Sequence, residues 1–131
     1  MNFVRAKKQF GQHFLKEDFI AKRITDALTH HGGYRDVIEI GPGTGALTKH
    51  LIGRDDIVLW CVELDREAAA HITEKFPQLQ ERLIIGDVLR LDLRDRFKGS
   101  FAIIGNFPYN ISTQIVFQVI ENRDQCTEVV G

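Results

Sequence analysis

The segment that most restricts the fold is Asp36-Val37-Ile38-Glu39-Ile40, which runs without a break into Gly41-Pro42-Gly43-Thr44-Gly45. A short run rich in β-branched residues is predicted to be a strand. The glycines that follow allow a tight turn and let a ligand approach the backbone with no Cβ in the way. Ala46 to about Gly53 reads as a helix. Its N-terminal N–H groups would attract an anionic or carboxylate moiety. The spacing is G-x-G-x-G rather than the dinucleotide G-x-G-x-x-G, which disfavours pyrophosphate. Taken alone, such a loop is equally a plain tight turn between a strand and a helix.

The same arrangement recurs along the chain. Ile57 to Val62 reads as a second buried strand ending on Glu63-Leu64-Asp65, with an alanine-rich helix from Arg66 to Phe76 behind it. Leu83-Ile84-Ile85 forms a third strand, ending at Gly86-Asp87, and Phe101-Ala102-Ile103-Ile104 a fourth, ending at Gly105-Asn106-Phe107-Pro108-Tyr109. Ser112 is the expected N-cap of a helix with Ile115, Val116, Val119 and Ile120 on one face. Thr127-Glu128-Val129-Val130 begins another strand. Upstream, Ile20, Ile24, Ala27 and Leu28 predict one face of a helix from about Glu17 to His31, stopped by Gly32-Gly33. Apolar strands alternating with amphipathic helices predict an α/β fold, a doubly wound and mostly parallel sheet covered on both faces. Because the sequence closes on an apolar strand, the sheet is expected to be incomplete at the C-terminus.

Composition sets the outer limits. The 131 residues, 44% hydrophobic and 27% charged, contain no repeat or linker and describe one domain. A chain of this size can bury roughly two-thirds of its unfolded surface. The net charge of −1 excludes a uniformly basic nucleic-acid binder, but residues 1–23 carry a local +4 and the remainder −5. A cationic arm of this kind can attract a phosphate backbone, and it is also what a solvated tail looks like. Phe3, Phe10 and Phe14 interleave with Arg5, Lys7 and Lys8 there. No apolar run approaches the ~20 residues of a membrane span, and the first residues lack the pattern of a secretory signal. Cys61 and Cys126 form no metal-type pair, and His13, His30, His31, His50 and His71 show no ligand spacing. No metal, no membrane and a cytoplasmic location are therefore expected. Trp60 is expected in the core.

The chemistry is carried by the strand ends. Glu63 lies 22 residues after Gly41, where a carboxylate can accept hydrogen bonds from ribose hydroxyls. Asp87 offers a further acceptor for an exocyclic adenine amine, or simply starts a turn. Asn106, with Pro108 and Tyr109, is the most specific element. An adenine N6 is a poor nucleophile because its lone pair is delocalised into the ring. Acceptors holding both N6 hydrogens, the Asn106 side-chain oxygen and the Pro108 carbonyl, would pyramidalise it. Tyr109 offers a stacking face worth ~1–3 kcal/mol to a flipped base. Elsewhere on a chain, Asn-x-Pro-Tyr can be a strand-terminating turn.

With these motifs in place, the sequence resembles the ribosomal RNA adenine N6,N6-dimethyltransferases over essentially its whole length. The resemblance rests on Lys8-Gln9-Phe10-Gly11-Gln12-His13-Phe14-Leu15, Glu39 to Gly45, Glu63-Leu64-Asp65, Gly86-Asp87 and Asn106-Phe107-Pro108-Tyr109-Asn110-Ile111-Ser112. It implies a Rossmann-like S-adenosylmethionine-dependent methyltransferase fold. It assigns His13 and Leu15 to the segment closing over the methionine side of the cofactor, Gly41 and Gly43 to the cofactor loop, Glu63 to the ribose and Asp87 to the cofactor adenine. Asn106 is shared between cofactor and target amine, with Pro108 and Tyr109 beside it. Members often carry leucine where this chain has Phe107, and asparagine where it has His13.

The implied activity is dimethylation of N6 on two adjacent adenosines near the 3′ end of small-subunit 16S rRNA during ribosome biogenesis. The implied partner is the 30S subunit precursor, and the implied state is a monomer. The family also implies a seven-stranded sheet and a helical C-terminal domain. Residues 1–131 are thus expected to be the N-terminal part of the methyltransferase domain, with 1–16 a basic segment. The alternatives are a DNA adenine-N6 methyltransferase, a non-catalytic ribosome-assembly factor retaining the fold, and a nicotinamide-dependent oxidoreductase, which gives no reason for the Asn106 motif.

Overall fold

The computed structural model describes residues 16–107 and 109–131, with the backbone alone at 109–112, 116 and 120. Helix α1 covers residues 16–26. It is followed by β1 (Asp36–Ile40), α2 (Thr48–Leu51), β2 (Val58–Glu63), α3 (Arg66–Lys75), a 3-10 turn at Pro77–Leu79, β3 (Leu83–Ile85), α4 (Leu93–Arg96), β4 (Phe101–Gly105), α5 (Tyr109–Glu121) and β5 (Cys126–Val130). The five strands form one sheet in the order β3-β2-β1-β4-β5, and every pairing is parallel. The order runs outward from β1 in one direction and then returns to its other side at β4. That reversal is a topological switch point, where open α/β sheets bind ligands beyond the carboxyl ends of the strands.

The alternation of side chains along each strand supplies both faces of the core. Val37, Leu59, Cys61, Ala102 and Ile104 pack on one side with Ala21, Leu47, Leu51 and Ile72. Ile38, Val62, Ile84 and Ile103 pack on the other with Val88, Leu93, Phe97 and Ile115. The sheet is therefore doubly wound, as its sequence pattern predicts. Local signals fix the shorter helices. Asp65 caps α3 by accepting from the Glu67 N–H at 3.0 Å, and Asp92 caps α4 through the Asp95 N–H.

Several boundaries differ from the sequence expectation. Helix α1 ends at 26 rather than near His31. Its last turn tightens through bonds from Ala27 N to Ile24 O and Leu28 N to Thr25 O. Beyond it, Glu128 of β5 takes over the Thr29 N–H at 2.8 Å and the Thr29 hydroxyl, so a tertiary anchor ends the helix before the glycines do. The buried stripe of α1 is Ala21 and Thr25, continued by Leu28 just past its end, while Ile20 is exposed. Helix α2 is a single turn, Thr48–Leu51, rather than a helix opening at Ala46. Helix α5 begins at Tyr109, which puts Ser112 inside its first turn rather than at its cap. Trp60 is only half-buried. Its ring packs edge-on against Phe97 and its indole N–H donates to Asp36.

Candidate active site

Register brings the strand tips level. Ile40 pairs with Val62 on one side and with Gly105 on the other, so the next residues, Gly41, Glu63 and Asn106, arrive side by side. Glu63 pairs with Ile85, which puts Gly86-Asp87 at the same edge. The outcome is a crevice of about 270 Å3 lined by Gly41, Glu63, Asp87, Asn106 and Phe107, among others. Its walls include the apolar Val62, Leu64, Val88 and Leu89. An apolar slot with a few convergent acceptors suits a flat heterocycle joined to a diol. Asn106 also borders a second cavity, about 390 Å3, whose wall is built largely from α1 residues including Glu17, Ala21 and Ile24.

Each acceptor is oriented by its own backbone. One Glu63 oxygen, Oε2, accepts from the Asp65 N–H at 3.1 Å. Asp87 Oδ1 accepts from the Leu89 N–H at 3.0 Å, so Asp87 starts a turn and also faces the crevice. Gly41 has φ +62°, with open space where a Cβ would stand. Its N–H donates to Val62 O at 2.8 Å, holding the loop against β2. Gly45 has a different task. A Cβ there would come within 2.8 Å of Phe76 and 3.1 Å of Ile72, so this glycine lets the loop sit down on α3.

Not every expected residue is gathered. Gly43 stays out of the crevice and borders a shallow depression of about 920 Å3 along α3, with Ala68, His71 and Lys75. That depression is larger but lies on the flank of a helix rather than at the strand ends. The expected helix N-terminus is weak as an anion site, because α2 is only four residues long and its dipole correspondingly small. His13, Leu15 and Pro108 lie outside the described residues, as does the side chain of Tyr109, whose backbone opens α5. Among the described residues no cluster of His, Cys, Asp or Glu could hold a metal ion. No helix there is long and apolar enough to cross a membrane.

Sequence reasoning assigned no role to the residues that brace the glycine loop. Glu39 is 1% exposed and accepts from Thr48 Oγ1 at 2.6 Å and from Cys61 Sγ at 3.7 Å. Burial pushes its carboxyl up to about 7, against the partial relief of those bonds. Burial raises the Cys61 thiol, and the neighbouring Glu39 adds to the rise. Lys75 reaches from α3 to donate to Thr44 O at 3.0 Å. The signal for Glu39 was present in the pattern: it shares the inward face of β1 with Val37, where a carboxylate is out of place.

Comparison with known proteins places this geometry. A family model described as ribosomal RNA adenine dimethylase matches residues 3–130. The chain is 50% identical over its full length to a ribosomal RNA small subunit methyltransferase A from Cytophaga hutchinsonii, covering 51% of that protein. It thus spans about half the length of the curated relatives it matches. Among solved structures, the 23S rRNA methyltransferase ErmE superposes with a TM-score of 0.64 at 26% identity, over 80% of this chain and 41% of that one. A dimethyladenosine transferase from Plasmodium falciparum shares the fold at a TM-score of 0.58 and 22% identity, over 82% of this chain and 38% of its own. The fold is the Rossmann-like one of S-adenosylmethionine-dependent methyltransferases. A carboxylate at the second strand tip, a turn aspartate at the third and an asparagine at the fourth, facing one glycine loop, therefore have their natural context: the chain belongs to the ribosomal RNA adenine dimethylase family.

Proposed function

We propose that this chain supplies the cofactor site and the catalytic face of an adenine-N6 dimethyltransferase acting on small-subunit ribosomal RNA, with S-adenosylmethionine as methyl donor. Residues 1–131 would be the N-terminal part of its methyltransferase domain, with 1–16 a basic arm for RNA and the 30S precursor as partner. The reading also takes the protein to be a cytoplasmic monomer that needs no metal. The observation that carries it is the meeting of Gly41, Glu63, Asp87 and Asn106, from four separate strand ends, on one crevice.

The residues present fit the cofactor. The Glu63 carboxylate suits a vicinal diol, the Asp87 turn suits an exocyclic amine, and Val62, Leu64, Val88 and Leu89 flank the space for a purine. A crevice of about 270 Å3 matches the nucleoside end of such a ligand. The second cavity beyond Asn106 extends the site towards α1, the helix that follows the His13 and Leu15 segment. When bound, the cofactor supplies an electrophilic sulfonium methyl group.

The chain's own contribution is positioning. The Asn106 amide oxygen and the Pro108 carbonyl accept the two N6 hydrogens of the target adenine, which turns the nitrogen lone pair towards the incoming carbon. Tyr109 holds the everted base by stacking. The N6 proton leaves to water after transfer. Fixing the reacting atoms in line supplies most of the acceleration expected of a site without a strong general base. The test is methyl transfer from labelled S-adenosylmethionine to under-methylated small ribosomal subunits. Asn106→Ala, made in the full-length protein, should lower turnover roughly 100-fold or more while leaving the melting temperature close to that of the parent. Normal turnover in that variant contradicts the assignment.

A further inference from the structure

The aromatic ring of Phe107 rests on two glycines. A Cβ built on Gly105 would lie 2.7 Å from Phe107 Cε1 and 2.8 Å from Ile40 O. One built on Gly131 would lie 2.6 Å from Phe107 Cε2, 2.7 Å from its Cδ2 and 3.1 Å from Gly105 O. Neither glycine has a positive φ. The requirement is therefore for space, not for an unusual backbone. Gly105 closes β4 and Gly131 comes directly after Val130 of β5, the partner of Ile104, so two adjacent strands each present bare backbone under one ring. That ring is half-buried, packs, as Ile40 and Val129 do, against the core cluster that includes Ile38, Val62 and Ile103, and lines the crevice next to Asn106.

We propose that Gly131 is a positioning residue for the site described above: by leaving room beneath Phe107, it sets how far the ring stands into the crevice and so fixes Asn106 beside it. This rests on the proposed function, because it gives the crevice a cofactor to admit. The ring is blocked on two sides. Gly105 backs the ring from β4, and Gly131 backs it from the end of β5. Any side chain at position 131 must drive the ring away from these supports, and the crevice is open space that Phe107 already borders. Interiors pack densely enough that a methyl group at 2.6 Å cannot be absorbed without displacement. A leucine at position 107 lacks the Cε atoms of the ring and can turn its Cδ atoms aside, so it would tolerate a larger neighbour.

The experiment is a double-mutant cycle in the full-length protein, with Gly131→Ala introduced into the parent and into Phe107→Leu. Two quantities are read: the Kd for S-adenosylmethionine by calorimetry and the melting temperature. Gly131→Ala should weaken cofactor binding roughly tenfold in the parent, and by no more than about twofold in the Phe107→Leu background. The melting temperature should fall in the first case and hardly move in the second. Should Gly131→Ala fail to fold in the parent yet fold and bind in the Phe107→Leu background, the clash is confirmed by rescue. Equal effects in both backgrounds, or none in the parent, overturn the proposal. A parent that does not bind S-adenosylmethionine contradicts the proposed function instead, and the packing claim is then decided by the melting-temperature cycle.

Discussion

Thr48 Oγ1 and Glu39 Oε1 are joined by a 2.6 Å hydrogen bond that spans the glycine loop from the end of β1 to the first residue of α2. Both residues are buried, so the bond clamps the two ends of the loop between them. A buried carboxyl favours its neutral form, and Glu39 is accordingly raised from its ordinary 4.5 to about 7.

A pH dependence of stability follows from that shift. Because the folded value lies above the unfolded one, the contribution of Glu39 is complete below about 4.5 and is lost as the pH rises through about 7. Glu39→Gln keeps an acceptor for Thr48 and removes the titration. Melting curves between pH 5 and 8 should show the variant gaining on the parent as the pH rises. Parallel curves for the two proteins would count against a buried, neutral Glu39.

The loop glycines should separate into two kinds. Gly45→Ala meets Phe76 and Ile72 at 2.8 and 3.1 Å with φ at +91°, whereas Gly41→Ala meets nothing within 4 Å at φ +62°. The left-handed conformation costs either alanine roughly 1–2 kcal/mol, and overpacking adds roughly 1–3 kcal/mol at Gly45 alone. Denaturant titrations are expected to rank Gly45→Ala well below Gly41→Ala in stability. The opposite order would mean that the loop does not rest on α3.

Glu63→Ala removes the acceptor assigned to the ribose. A hydrogen bond to a charged group contributes roughly 1.5–3 kcal/mol, so the Kd for S-adenosylmethionine should rise about 10- to 100-fold. The loss should be smaller for the same variant titrated with free methionine, which has no ribose to hold. Calorimetry with both ligands checks this, and equal losses would remove Glu63 from the nucleoside end.

Most of the sheet was legible in the sequence because its strands are short, apolar and closed by polar tips. Asp36–Ile40 and Leu83–Ile85 are read without error, and the other three strands shift by a residue at one or both ends. The crevice was legible for the same reason: in a parallel sheet the strand tips converge, so Gly41, Glu63, Asp87 and Asn106 could be placed by counting. The misses share a different cause. Helix α1 stops early because Glu128, about a hundred residues away in sequence, takes the Thr29 N–H. The packing of Phe107 on Gly131 likewise joins residues with no local pattern between them. Within one glycine motif, Gly41 lines the crevice while Gly43 borders the depression along α3. Local periodicity carries no information about such tertiary choices.

On the proposed reading, one crevice framed by four strand tips seats S-adenosylmethionine. Backbone amide resonances of the labelled protein report that seating as the cofactor is added. Gly41, Glu63, Asp87 and Asn106 should shift together along a single binding curve. Shifts confined to Ala68, His71 and Lys75 on α3, with Glu63 and Asn106 unmoved, would place the cofactor on the helix flank instead.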